Sequence, residues 1–207
     1  MASKPVVLIT GASEGVGRAT ASFLAERGFI VFGTSRNTSA VQALPGVDFV
    51  ESDVRSQASV SRCIDTVLGR AGHVSALVAN AGIQLHGSVE ETSIEEAWSL
   101  FDTNFFGSAR VIRELLPHMR ERGSGRIIAI SSTSGFCPQP VFAYYSASKH
   151  ALEGLAESLR YEVMPFGIDV TILELGGFKT QILGSNEEFA AQKIGAYAPW
   201  RDRAQDL

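Results

Sequence analysis

Tyr145 and Lys149 stand four residues apart in VFAYYSASKHALEG, residues 141–154, where an apolar helix-like run begins. Positions four apart on a helix share a face, so the phenol and the ammonium can approach one another, whereas Tyr144 points elsewhere. A free phenol near pKa 10 is a poor acid or base at neutral pH. An ammonium about 4 Å away, at an effective dielectric of ~20, favours the phenolate by about 4 kcal/mol. At roughly 1.4 kcal/mol per pKa unit, the pair predicts a phenol up to about three units more acidic, in the range useful for proton transfer. The competing reading is a surface lysine beside a half-buried tyrosine, and YxxxK spacing alone does not decide between them.

A second stretch could hold the other reactant. TGASEGVGRA, residues 10–19, places Gly11, Gly15 and Gly17 between an apolar run and a helical one. A strand-to-helix turn needs a glycine for tight bending, one for close backbone approach to a pyrophosphate, and one for helix packing. The helix N-terminus then offers its partial positive charge to the phosphates. About twenty residues on, GTSRN presents Ser35 and Arg36. An acid there would accept from an adenosine ribose 2′-hydroxyl, but a guanidinium suits a 2′-phosphate. The cofactor expected is NADP, with NAD possible; Glu14 inside the loop is the counter-signal.

The elements that must position these groups are βα repeats. PVVLIT (5–10), FIVFGTS (29–35), VDFVES (47–52), SALVAN (75–80), GRIIAISS (125–132) and IDVTILEL (168–175) read as strands. Several are apolar on both faces, as in a parallel sheet covered on each side. Helical patterns occupy 15–27, 57–70, 105–120 and 146–164, and a Ser93-x-x-Glu96 capping box opens another. The pattern predicts an α/β doubly wound Rossmann fold in one domain spanning residues 1–207, with ligands at the carboxyl ends of the strands.

Bulk composition removes several function classes. With 207 residues and a net charge of −4, the chain has no basic footprint for nucleic acid. No apolar run approaches a membrane span, and no secretory signal is evident, so the expectation is a cytoplasmic protein without membrane contact. Cys63 and Cys137 match neither a disulfide framework nor a zinc site, and His73, His86, His118 and His150 lack ligand spacing. No metal is expected.

TGASEGVG, ANAGI (79–83), Asn104 in DTNFFG, ISSTSG (130–135) and YSASK (145–149) together resemble the short-chain dehydrogenase/reductase family, in the branch with a TGxxxGxG loop. The resemblance runs from residue 5 to about 180. It implies that Tyr145 passes a proton to or from the substrate oxygen while NAD(P) exchanges a hydride at carbon. It implies that Lys149 holds the nicotinamide ribose and acidifies the phenol, that Ser132 hydrogen-bonds the substrate oxygen, and that Asn104 anchors a water leading from the lysine. Ser131 would face the other way. The cofactor-binding positions it implies are Gly11, Ser13, Gly15, Val16, Gly17, Ser35, Arg36, Asp53, Val54, Asn80, Ala81, Gly82, Tyr145, Lys149 and Thr180, with Asp53 against adenine.

The chain departs from that pattern in two places. In ILELGGFKT, residues 172–180, Leu175 stands where the family places a proline. Family chains also continue with a helix and strand that wall the substrate pocket, whereas this sequence stops at RDRAQDL, implying a short protein or a fragment whose sixth strand is a sheet edge. Gln84, His86, Phe136, Cys137, Phe142 and Phe178 are expected around a mainly apolar opening, so the substrate expected is a small hydrophobic ketone or secondary alcohol. Phe105, Phe106, Ile112 and Leu115 suggest a homo-oligomer face, and equally a helix face against the sheet. Two rival readings remain: a non-catalytic NAD(P)-binding sensor or scaffold, and an epimerase or dehydratase on a nucleotide-sugar, which the glycine spacing disfavours.

Overall fold

The β-branched runs pair into a six-stranded sheet in the computed structural model, which describes residues 4–176 and 187–205. Chain order gives β1 (Val6–Ile9), α1 (Gly15–Glu26), β2 (Ile30–Ser35), β3 (Val47–Glu51), α2 (Gln57–Ala71), β4 (Ala76–Ala79) and β5 (Gln84–His86). There follow α3 (Ile94–Phe101), α4 (Ser108–Arg122), β6 (Gly125–Ser132), α5 (Ala143–Val163), β7 (Ile168–Leu175), β8 (Glu187–Phe189) and α6 (Ala198–Gln205). The main sheet is parallel throughout, in the order β3-β2-β1-β4-β6-β7, the doubly wound Rossmann architecture. The connections reverse direction between β1 and β4, which opens a crevice at the carboxyl ends of those strands.

Side-chain alternation assigns the two layers. Leu8, Phe32, Leu77 and Ile127 face α2, α4 and α5, and pack with Ile64, Val67, Leu115 and Leu152. Val7, Ile9, Val31 and Val78 point to the opposite face and meet Ala21 of α1. Every residue of β1 is at most 3% exposed, as a strand covered on both faces requires. Ile112 and Leu115, weighed as part of an oligomer face, are 3% and 0% exposed. They belong to the core under the sheet. Trp98 stays outside, stacked on Phe106 at 6.3 Å.

Between α3 and α4 the helix widens into a π-helical turn over Asp102–Gly107, where the sequence pattern predicts plain α-helix from 105. Such turns recur at functional sites, and this one contains Asn104. The capping box is present: Ser93 accepts from the Glu96 N–H at 3.1 Å, and Glu96 accepts from the Ser93 N–H at 2.8 Å.

A second sheet, unmarked in the sequence pattern, pairs β5 with β8 in parallel, Leu85 opposite Glu188. The segment after β8 is fastened by the acidic run before and within α3. Glu91 accepts from the Ile194 N–H at 2.8 Å and pairs with Arg201, Glu96 accepts from the Ala191 N–H at 2.8 Å, and Tyr197 donates to Glu90 at 2.8 Å. Burial alone would raise the Glu91 carboxyl, but hydrogen bonds from Ile194 and Ser88 and the charge of Arg201 override it and hold it at about 2.

Candidate active site

The glycine loop is pinned from two sides. Thr10, just past β1, accepts on Oγ1 from the N–H groups of Asn80 and Ala81 at 2.9 and 3.0 Å, and Asn80 returns Nδ2 to the carbonyls of Thr10 and Gly11. Gly11 and Gly15 have φ of +65° and +56°, which glycine adopts at least cost. Gly17 serves close packing: a Cβ there would overlap the Gly11 carbonyl and stand 2.5 Å from Asn80 Nδ2. Its partner is thus the loop itself and Asn80, not the strand. Glu14, at the N-cap of α1, makes no side-chain cap, and the first residues of the helix border the cleft. An anion placed there meets uncapped N–H groups at the positive end of the helix dipole.

That cleft has a volume of about 570 Å³. Gly11, Ser13, Gly15, Val16, Ser35, Arg36, Asp53, Val54, Asn80, Ala81 and Gly82 all border it, so the structure gathers most of the expected cofactor positions around one space. Arg18, Asn37 and Arg55 border it too, without a motif to mark them; Arg18 is aimed by its hydrogen bond to the Gln42 carbonyl at 2.8 Å. Asp53 accepts from the Arg55 guanidinium at 2.9 and 3.1 Å, and that bond, with the further charge of Arg36, holds its carboxyl below the usual range. Thr180 and Phe178 lie outside the described residues.

Next to the cleft lie the residues able to move a proton. Tyr145 and Lys149 share the inner face of α5, both buried, with Lys149 Nζ 5.8 Å from the centroid of the Tyr145 ring. Nζ donates to the Ile130 carbonyl at 2.9 Å. Burial drives the Lys149 ammonium down to about 8, against the pull of Glu153. The direction expected for the phenol is reversed: burial raises Tyr145, and hydrogen bonds with Ser132 and Gln84 only partly pull it back. The cation lies over the ring, with Nζ directed at Ile130, and does not offset the desolvation of the hydroxyl.

Ser132 closes β6 and accepts from the Ser134 N–H at 3.2 Å, while Ser131 turns away to Glu153 at 2.5 Å, as expected from strand alternation. Asn104 accepts from the Ile83 N–H at 2.9 Å and donates to the Ile83 carbonyl at 2.9 Å and to Ser148 at 3.1 Å. The side chain in the π-helical turn therefore locks the loop after β4 to α5. A Cβ on Gly82 would stand 3.3 Å from Asn104 Oδ1 and 3.7 Å from Lys149 Nζ, which places the proton-handling group against the wall of the cleft.

Of the residues expected at the substrate opening, His86 makes tilted ring contacts with Phe142 and Phe189, at 4.3 and 4.8 Å, and Phe142 packs edge-on to Tyr145. Phe136 is 59% exposed and Cys137 also faces outward. Gln84 proves to be a partner of the phenol, and Phe189 enters through β8, which no sequence signal connected to β5.

The family model described as short chain dehydrogenase matches residues 5–191. The chain belongs to the short-chain dehydrogenase family. It is similar to the 3-ketodihydrosphingosine reductase of Bacteroides thetaiotaomicron, 38% identical over 194 residues, covering 89% of this chain and 71% of the relative. It superposes on a short-chain dehydrogenase from Streptomyces avermitilis with a TM-score of 0.92 at 41% identity, covering 98% of this chain and 78% of that one. The structure described as ElxO with NADP bound gives 0.81 at 29% identity, covering 87% and 77%. As a short-chain dehydrogenase, the chain is an oxidoreductase. Among the described residues no helix is long and apolar enough to cross a membrane, and no cluster of three His, Cys, Asp or Glu could hold a metal.

Proposed function

We propose that this short-chain dehydrogenase is an NADP-preferring enzyme interconverting a hydrophobic ketone and its secondary alcohol, with Tyr145 as the general acid or base. The observation that carries the reading is the closeness of Lys149 and Asn104 to Gly82, a residue of the nucleotide-sized cleft's wall: a Cβ on that glycine would stand within 4 Å of both side chains. The residues present fit a dinucleotide: uncapped N–H groups of α1 for phosphates, and Arg36 for a 2′-phosphate. Bound NADPH supplies the hydride. Tyr145, kept protonated by burial, donates to the substrate oxygen, and Ser132 orients that oxygen. Lys149 holds the nucleotide ribose, and its ammonium replenishes the proton that the phenol gives up. The aromatic wall of His86, Phe142 and Phe189 supports an apolar substrate, as does the ketolipid named for the Bacteroides relative. Exposed Trp98 and Phe106 support self-association.

A panel of ketones of graded size, each assayed with NADPH, tests the proposal. Apolar ketones are expected to be reduced; nucleotide binding with no turnover across the panel would instead favour a sensor. Arg36→Asp is expected to move the NADP/NAD preference toward NAD by roughly 10- to 100-fold, the worth of a charge-assisted hydrogen bond. Comparing kcat/KM for the two nucleotides checks this, and an unchanged ratio refutes the phosphate contact.

A further inference from the structure

One turn beyond Lys149, on the same face of α5, Glu153 reaches beneath the proton-handling set, in a place the reaction described above leaves without a task. Its Oε1 accepts from Ser131 Oγ at 2.5 Å, and Ser131, only 3% exposed, is the residue next to Ser132 at the end of β6. Gly135, in the turn that follows, leaves the room the carboxylate fills: a Cβ there would overlap Glu153 Oε1 and stand 2.7 Å from Ser131 Oγ. A side chain that a buried serine bonds and a glycine makes space for is held in one position.

We propose that Glu153 is a positioning residue of the reaction, a fixed counter-charge held by Ser131 and Gly135 that keeps the buried Lys149 in its ammonium form. The inference rests on the roles proposed for Tyr145 and Lys149. Other groups around Lys149 cannot replace it. Tyr145 on α5 is a neutral phenol, β6 presents the Ile130 carbonyl and Ser132, and the π-helical turn presents Asn104. Glu153 is the charge that acts on Lys149 among the described residues, and it acts against burial. The sign follows directly. Burial pulls the ammonium toward deprotonation and the carboxylate resists, so removing the carboxylate shifts the loss of the ammonium to lower pH.

Glu153→Gln keeps the shape and an acceptor for Ser131 while deleting the charge. The chain has four lysines, Lys4, Lys149, Lys179 and Lys193, so titration of 13C-labelled lysine side chains by NMR resolves each, with Lys149 assigned by its loss in Lys149→Arg. The Lys149 midpoint, about 8 in the parent, is expected about one pH unit lower in Glu153→Gln, with the other three unmoved. The alkaline limb of kcat/KM should move with it, while a merely structural role would lower Tm and leave both midpoints in place. Equal Lys149 midpoints in parent and variant overturn the inference. Should Glu153→Gln not fold, Ser131→Ala, which frees the carboxylate to swing toward solvent, carries the same test with a smaller downward shift, and no shift overturns it. If the parent reduces no ketone yet its Lys149 midpoint falls on substitution, the proposed reaction fails and the counter-charge stands. If turnover is present and the midpoint stays, the counter-charge alone fails.

Discussion

Tyr145→Phe is expected to reduce ketone turnover by roughly a thousandfold, within the range for loss of a positioned proton donor, while NADPH binding changes by less than about twofold. The substitution removes one oxygen and keeps the ring. The edge contact with Phe142 at 6.2 Å and the approach of Lys149 at 5.8 Å are made by the ring, so Phe142 and the lysine stay in place. What disappears is the transferable proton and its hydrogen bonds to Ser132 and Gln84. In the parent, burial raises the phenol above its ordinary value of 10.0, so at neutral pH the group is an acid ready to donate, matching the direction of carbonyl reduction. The alkaline limit then belongs to Lys149. Its ammonium persists below about 8 and is lost as pH rises through that value, so the reduction rate should fall above about 8 before the phenol titrates. Initial rates from NADPH absorbance across pH, beside fluorescence titration of nucleotide binding, check both statements. Retained turnover in the phenylalanine variant removes Tyr145 from the chemistry.

The sheet and the constellation were legible in the sequence because each is written locally. GRIIAISS and IDVTILEL give strand limits that coincide with β6 and β7, since short β-branched runs that open at a glycine have little other use in a βα chain. The four spacing from Tyr145 to Lys149 needs only a helix to bring both to one face, and α5 supplies it. What was not legible depends on distant partners. β5 and β8 are three residues each, and their pairing brings residue 84 beside residue 187, across a separation no periodicity encodes. Ile112 and Leu115 form an apolar stripe that suits a sheet or a second copy equally, and only the sheet decides. The tyrosine–lysine spacing carries the pull of the cation, which would acidify the phenol, but not the burial that raises it. A sequence shows that two side chains share a helix face, but not that Nζ turns to a backbone carbonyl while the hydroxyl is desolvated. Glu91 gives the same lesson with the opposite outcome. Nothing in VEETS marks one of its acids for burial, yet Glu91 is 2% exposed and holds together two parts of the chain over one hundred residues apart.

That buried carboxylate carries the largest expected effect on stability. Glu91→Gln leaves Arg201, with only 18% of its side chain exposed, facing a neutral amide. One amide oxygen must then serve the N–H groups of Ser88 and Ile194, which the two carboxylate oxygens now share at 3.0 and 2.8 Å. Breaking a buried pair from one side costs about 3 kcal/mol or more, because the remaining charge stays desolvated. At roughly 2–4 °C per kcal/mol for a chain of this size, global unfolding would shift down by about 6–12 °C. If the segment that follows β8 instead releases by itself, amide exchange at Ala191 and Ile194 should accelerate by roughly a hundredfold while β1 and β4 remain protected. The pH dependence separates the carboxylate from mere packing. Its folded value of about 2 lies below the ordinary 4.5, so its contribution is complete above about 4.5 and is lost progressively as pH falls toward 2. The parent should therefore lose protection at Ile194 across that window, and Glu91→Gln, already without the charge, should show a flatter profile. Parallel acid profiles for parent and variant, or unchanged exchange at Ile194, would mean that hydrophobic contact and the β5–β8 pairing hold the segment, and that the ion pair is incidental.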